Sequence, residues 1–122
     1  MTDRKVKIGI SHGDINGISY EIIIKALSDN RLNDFCIPIV YGSPKVAAYH
    51  RKALDIENFS FNAIKTASEA NAKKANLINV LDDNIRVELG KSTKMAGESS
   101  LLALDAMVKD LQAGEIDAIV TA

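Results

Sequence analysis

The sequence predicts an α/β fold, a mostly parallel sheet with helices on both faces, with no internal domain boundary across residues 1–122. Two observations predict it. Short apolar runs of strand length alternate with longer segments of helical patterning, as expected of strand–helix–strand units whose sheet is covered on both sides. The opening stretch, residues 8–24, reads IGISHGDINGISYEIII: an apolar strand passes through a polar loop holding two glycines and an aspartate, then enters an apolar helix. A chain of 122 residues hides roughly two thirds of the surface its unfolded form exposes, so such a fold has a core without disulfides.

Residues 6–11 alternate and then run apolar, which predicts the strand that begins the sheet. The next element starts near Ser19 and carries Tyr20, Ile22, Ile23, Ile24, Ala26 and Leu27. It is apolar all round and suited to packing on a sheet. Ser19 or Asn16 is the candidate cap, and Glu21 in the first turn complements the helix dipole. Residues 37–41 form a second short strand closed by Gly42, Ser43 and Pro44. Proline is well placed as the first residue of a helix, so a second helix follows over 45–54.

Residues 58–64 set Phe59, Phe61 and Ala63 on one face of a strand whose other side is less buried. Residues 67–75, alanine-rich and polar, are a weak helix or a loop. Residues 77–81 are another apolar strand, ended by Asp82, Asp83 and Asn84; residues 85–95 form a polar extended excursion. Gly97, Glu98 and Ser99 then open the strongest helix of the chain. Leu101, Leu104, Val108 and Leu111 share one face of it, Met107 adjoins them, and Gly114 stops it. Residues 117–122 are the final strand, and Val120, Thr121 and Ala122 read as the end of a buried one.

Lys and Arg number 15 against 16 Asp and Glu, so the surface carries no strong field of either sign. This argues against a general nucleic-acid binder and against a polybasic membrane segment. Cys36, the one cysteine, has no disulfide partner and no second thiol for a zinc site, which points to a reducing, cytoplasmic setting. The opening apolar run breaks at His12, Gly13 and Asp14, short of the ~7–15 residues of a signal peptide. No later run approaches the ~18 residues of a membrane span, and a soluble protein is expected.

In parallel sheets of this kind, ligands bind at the carboxyl ends of the strands. That rule makes residues 13–17 a candidate site, because free backbone N–H groups and a helix N-terminus there can face an anion or a cofactor phosphate. The alternative is a tight strand-to-helix turn in which the glycines relieve strain and Asp14 bonds the local backbone. The loop is neither the G-x-G-x-x-G dinucleotide fingerprint nor a Walker loop. Gly90, Lys91 and Ser92 resemble the end of a P-loop, but position 85 is Ile85 where its first glycine should stand, so a solvated loop is expected. His12 lies at the predicted ligand edge without a partner at metal-ligand spacing. His50, beside Arg51 and Lys52, reads as a surface residue, and capping explains Glu98, Ser99 and Ser100. Two histidines and one cysteine assemble no nucleophilic constellation, so no catalytic residue is assigned.

Three separated stretches together resemble the 4-hydroxythreonine-4-phosphate dehydrogenases of vitamin B6 biosynthesis. The family's first strand and turn read I-T-x-G-D-P-A-G-I-G-P-E-I, and Gly13, Asp14, Gly17, Ile18, Glu21 and Ile22 match it. Ile15, Asn16, Ser19 and Tyr20 depart from it. Residues 90–97 resemble the family's G-x-x-x-x-x-x-G lead into a long helix. Residues 114–122 are similar to G-x-I-D-A-x-V-T-A.

The resemblance implies one of the two α/β domains of an architecture like that of isocitrate and isopropylmalate dehydrogenases, with this chain as the N-terminal portion of a longer enzyme. It implies NAD-dependent oxidation of the secondary alcohol of 4-phosphohydroxy-L-threonine to a β-keto acid that then loses its carboxyl group. A divalent metal (Zn, Mg or Co) would polarise the alcohol, held by three histidines in a homodimer whose two subunits share each site. Those histidines lie beyond Ala122, so this chain alone is expected to be inactive, with no metal ligand assigned. Gly13, Asp14 and Gly17 are the cofactor-binding candidates: the glycines let the backbone turn close to ligand, and Asp14 fixes the turn or accepts a hydrogen bond from it. A related decarboxylating hydroxy-acid dehydrogenase, a paralogue acting on another phosphorylated threonine-like compound, and a non-catalytic flavodoxin-like binding domain are the alternatives.

Overall fold

A computed structural model describes residues 5–122. Among the described residues five strands form one sheet: β1 (Val6–Ser11), β2 (Cys36–Gly42), β3 (Asn62–Ile64), β4 (Asn76–Asn79) and β5 (Ala118–Thr121), in the order β3-β4-β2-β1-β5. Every neighbouring pair is parallel. Three helices connect them: α1 (Ser19–Leu27), α2 (Pro44–Ala53) and α3 (Lys94–Gln112). Short 3₁₀ turns occupy Asn30–Asp34 and Ala67–Glu69.

The register explains the two layers. Gly9 pairs with Ile39 on one side and Ile119 on the other, so alternate residues of the central strands point to the same face. On one face Val40 and Leu77 meet Tyr20, Ile23, Ile24 and Leu27 of α1 together with Val46 and Ala47 of α2. On the other, Ile37, Ile39, Tyr41 and Ile78 meet Ala103 and Met107 of α3, with Ile116 closing the layer. β2 is buried along its whole length, as a central parallel strand covered on both sides should be. The α/β class, the parallel sheet and the helices on both faces are all present.

Several local expectations are corrected. The cap of α1 is Ile18, with no side-chain cap bond, because the Asn16 amide is bonded to Lys91 and Thr93 and Ser19 lies inside the helix as its first residue. The strand expected over 58–64 shrinks to Asn62–Ile64; Phe59 and Phe61 instead stack edge to face, 4.9 Å apart, under the α1–α2 layer. β4 ends at Asn79, whose side chain accepts from Leu81 N–H and turns the chain.

The largest correction concerns α3, which starts three residues before Gly97. Thr93 caps it by accepting from Ala96 N–H at 3.1 Å, and Gly97, Glu98 and Ser99 lie inside the helix. Its buried stripe is Ala96, Ser99, Ala103 and Met107, while Leu101 is 67% exposed and Leu104 faces outward beside it. Small residues let the helix lie close on the sheet; the larger leucines are left on the far side. β5 differs likewise from a buried strand. It sits at the sheet edge, paired only with β1 among the described residues, and all four of its residues are exposed.

Candidate functional site

Strand order reverses at β1: the chain moves outward from β1 through β2, then crosses back over the sheet to lay β5 on β1's other side. Such a reversal marks the crevice where open α/β sheets bind ligands, at the carboxyl ends of the strands. The three sequence stretches that carry the family resemblance meet there. Residues 12–18 leave the end of β1, residues 88–93 lead into α3 above them, and the end of β5 lies alongside.

Gly13 is buried just past the end of β1. Its φ is +67°, a left-handed conformation that L side chains rarely adopt, and an added Cβ would lie 2.3 Å from the Ala122 carbonyl oxygen. The position needs glycine for conformation and for close approach of the neighbouring strand's end. Asp14 projects outward, and its side chain accepts from Asn16 N–H at 3.0 Å while its carbonyl accepts from Gly17 N–H at 3.2 Å. This is an Asx-type turn, so Asp14 fixes the local backbone, one of the two roles the sequence left open.

Asp14 and Gly17 line a cleft of about 450 Å3 whose opposite wall is Gly90, Lys91, Ser92 and the first turns of α3. Gly13, the first residue of the loop, does not line this cleft. The cleft combines one outward carboxylate, one exposed lysine and the N-terminal end of a 19-residue helix, whose first amides and dipole favour an anionic or strongly polar group. The 90–92 segment, expected as a plain solvated loop, therefore forms a wall of the candidate site. No strand leads directly into it, and a P-loop is not built.

Asn16 joins the two walls. It is buried, its Oδ1 accepts from Glu88 N–H at 2.7 Å, and its Nδ2 donates to the Lys91 carbonyl at 3.1 Å and to Thr93 Oγ1 at 3.3 Å. Its own carbonyl accepts from Gly90 N–H at 2.8 Å. The sequence signal for this was the asparagine at a motif position occupied by alanine. Contacts more than 70 residues away could not be read from it.

Both histidines are buried beneath the loop. His12, fully buried, does not line the cleft. Its Nε2 faces the Ser99 carbonyl at 3.1 Å and so carries the proton; its Nδ1 then accepts from the Tyr20 hydroxyl at 2.8 Å. Tyr20 in turn accepts from Ser43 N–H at 3.1 Å. Burial pushes the imidazole below its ordinary pKa, against the opposing pull of the Ser99 carbonyl, and pushes the Tyr20 phenol up. An added Cβ at Gly42 would lie 2.3 Å from the Tyr20 hydroxyl, so this glycine leaves the room the network occupies.

His50 corrects the sequence reading. It is buried, donates from Nε2 to the Ile15 carbonyl at 2.7 Å, and stacks on Tyr20 with ring centroids 5.3 Å apart. The basic neighbours Arg51 and Lys52 concealed that His50 occupies the inward side of α2. Among the described residues no group of three or more His, Cys, Asp or Glu side chains converges to hold a metal ion. No described helix is long and apolar enough to cross a membrane.

A family model described as pyridoxal phosphate biosynthetic protein PdxA matches residues 34–122. Across all 122 residues the chain is 48% identical to a 4-hydroxythreonine-4-phosphate dehydrogenase of Bacteroides thetaiotaomicron, of which it covers 33%. It is 30% identical, over 99% of its length, to a Clostridium botulinum protein described as a candidate D-threonate 4-phosphate dehydrogenase, of which it covers 37%. Among solved structures, a 4-hydroxythreonine-4-phosphate dehydrogenase from Burkholderia phymatum superposes with a TM-score of 0.84 at 25% identity, over 98% of this chain and 36% of that one. The chain thus spans about a third of the length of the curated relatives it matches. With the opening loop, the lead into α3 and the last strand meeting at one sheet edge, and with the family match running through two of the three, the chain belongs to the PdxA family of pyridoxal phosphate biosynthetic proteins.

Proposed function

We propose that the chain forms the N-terminal part of one α/β domain in a longer, two-domain enzyme that oxidises 4-phosphohydroxy-L-threonine with NAD in pyridoxal 5′-phosphate biosynthesis. Bound NAD would supply the acceptor for the hydride of the secondary alcohol, whose proton would pass to solvent or base, and the β-keto acid so formed would lose its carboxyl group as CO2. The observation that carries this reading is the 48% identity to a named 4-hydroxythreonine-4-phosphate dehydrogenase across the whole chain.

The part this chain plays is binding and orientation. Asp14 and Gly17 on one wall, with the first turn of α3 on the other, fit a polar or anionic section of the cofactor, and Gly13 holds the loop in the conformation that forms the first wall. NAD supplies the hydride acceptor. The divalent metal of the proposed reaction does not fit here: His12 and His50 are buried and committed to protein hydrogen bonds, and the described residues build no ligand cluster. Its ligands, the homodimer that would complete the site and the remaining substrate contacts belong to the rest of the enzyme, which acts in the cytoplasm.

A test is NAD reduction by the full-length enzyme, supplied with a divalent metal and either 4-phosphohydroxy-L-threonine or D-threonate 4-phosphate. Preference for the first compound is expected. Preference for the second would transfer the protein to the reaction for which its 30% identical relative is named, and no reduction with either would refute the dehydrogenase reading. The 122-residue chain alone should reduce no NAD, and measurable turnover by it would refute its role as a partial wall.

A further inference from the structure

We propose that Asn16 is a positioning residue, a latch that holds segment 88–93 against the opening loop and so fixes the wall on which the bound cofactor or substrate rests. The proposal rests on the dehydrogenase reading above and adds to it a residue whose side chain acts through a neighbouring segment.

The argument begins with what segment 88–93 lacks. It has no regular secondary structure, and Gly90, Lys91 and Ser92 are exposed. Within the segment, Lys91 N–H bonds the Glu88 carbonyl, which closes a turn but anchors it to nothing else. The anchors come from Asn16: one backbone bond through Gly90 N–H and three side-chain bonds, to Glu88 N–H, the Lys91 carbonyl and the Thr93 hydroxyl. Thr93 is also the cap of α3, so the same amide that fixes the segment fixes the helix start that lines the cleft.

Asn16 is itself held rigidly. Its N–H is bound by Asp14, the adjoining Ile15 carbonyl is bound by His50, and His12 ties the base of the loop to Ser99 on α3. A terminal amide offers an acceptor and two donor hydrogens on one planar group, and here both ends are used on one facing segment. Alanine, the residue of the family motif at this position, offers none of these. The chain therefore has a preformed wall where the motif residue would leave segment 88–93 joined to the opening loop, among the described residues, by the Gly90 bond alone, and preordering a wall lowers the entropy lost when ligand binds.

Because Glu88 and Lys91 lie at the rim, water can take over their backbone groups when the side chain is removed, so Asn16→Ala should loosen the wall without unfolding the domain. In the full-length enzyme, Asn16→Ala should raise KM for NAD or for the phosphorylated substrate by about tenfold, the scale expected from re-ordering a few side chains, with kcat within about twofold of wild type. Hydrogen–deuterium exchange of the peptide spanning 85–93 should accelerate while that of β2 stays protected. Asn16→Asp, which keeps the acceptor but sets a carboxylate against the Lys91 carbonyl, should move KM and exchange in the same direction. An active wild type with unchanged KM in both variants, or unchanged exchange at 85–93, would overturn the latch. Accelerated exchange throughout β2 as well would show a merely structural residue and overturn it too. A wild-type enzyme that reduces no NAD with either phosphorylated compound would instead sink the dehydrogenase reading, and the positioning role with it.

Discussion

The carboxyl edge of β1 and the outer side of β5 and α3 lie close together in this fold and are built on opposite principles. At the first, polar groups are buried and matched: His12, Tyr20, His50 and Asn16 each meet a defined partner, and among the described residues no buried side-chain nitrogen or oxygen lacks one. At the second, Leu101, Leu104, Ile119 and Val120 are apolar and open to solvent. Matched buried hydrogen bonds specify one geometry because any displacement leaves an unpaired group, whereas apolar contact is tolerant of direction. The site edge is thus the over-determined part of the molecule.

The sharpest way to break the comparison is at Gly42 and Gly13. Gly42→Ala would drive a methyl group into the Tyr20 hydroxyl, and Gly13→Ala would force a left-handed alanine against the Ala122 carbonyl. Each should cost about 2 kcal/mol or more in urea unfolding, through overpacking and strain. Substitutions that leave the midpoint unchanged would mean the network has slack.

A second contrast lies within α3. Met107 is fully buried against the sheet and Leu101 is largely exposed, so Met107→Ala should cost about 2–5 kcal/mol and Leu101→Ala less than about 0.5 kcal/mol by the same measurement. Equal costs would show that the leucine face is covered in the protein as assembled.

A smaller effect is expected from pH. The folded pKa of His12 lies below the ordinary 6.5 because burial disfavours the imidazolium, so the unfolded chain binds the extra proton first. Stability should be independent of His12 well above pH ~6.5 and should fall as pH drops through that value toward the depressed native pKa. Protonation would also place a hydrogen on Nδ1, where Tyr20 now donates. Urea midpoints across pH 5–8 for wild type and His12→Gln check this, and equal slopes would remove His12 as the cause.

The smallest change should come from Leu101→Lys, which places a charge on the outward side of α3. A shift beyond about 0.5 kcal/mol would contradict the open surface described for that side.

Much of this architecture was legible in the residues because its causes are local. Residues 6–11 carried the strand pattern that became β1 without adjustment, and Pro44 fixed the start of α2 through its own ring geometry. The 13–17 loop declared itself through two glycines and an aspartate in a turn between apolar elements. Other features were misread for identifiable reasons. Leu101 and Leu104 have the spacing of a core stripe, but a helix lying close over the sheet selects Ala103 and Met107, and spacing cannot say which of two faces the sheet takes. The basic neighbours of His50 suggested a surface, while its position on the helix turned it inward.

The sequence by itself determined the α/β class, the order of strands and helices, the loop chemistry at residues 13–17 and the resemblance to one family, since periodicity, turn residues and motifs are properties of short stretches. Only the tertiary structure decided that residues 13–17, 88–93 and the end of β5 form one edge, and that Asn16 joins two walls of one cleft. Those facts depend on the direction in which the chain crosses the sheet and on hydrogen bonds between groups more than 70 residues apart. No short stretch of sequence encodes such contacts.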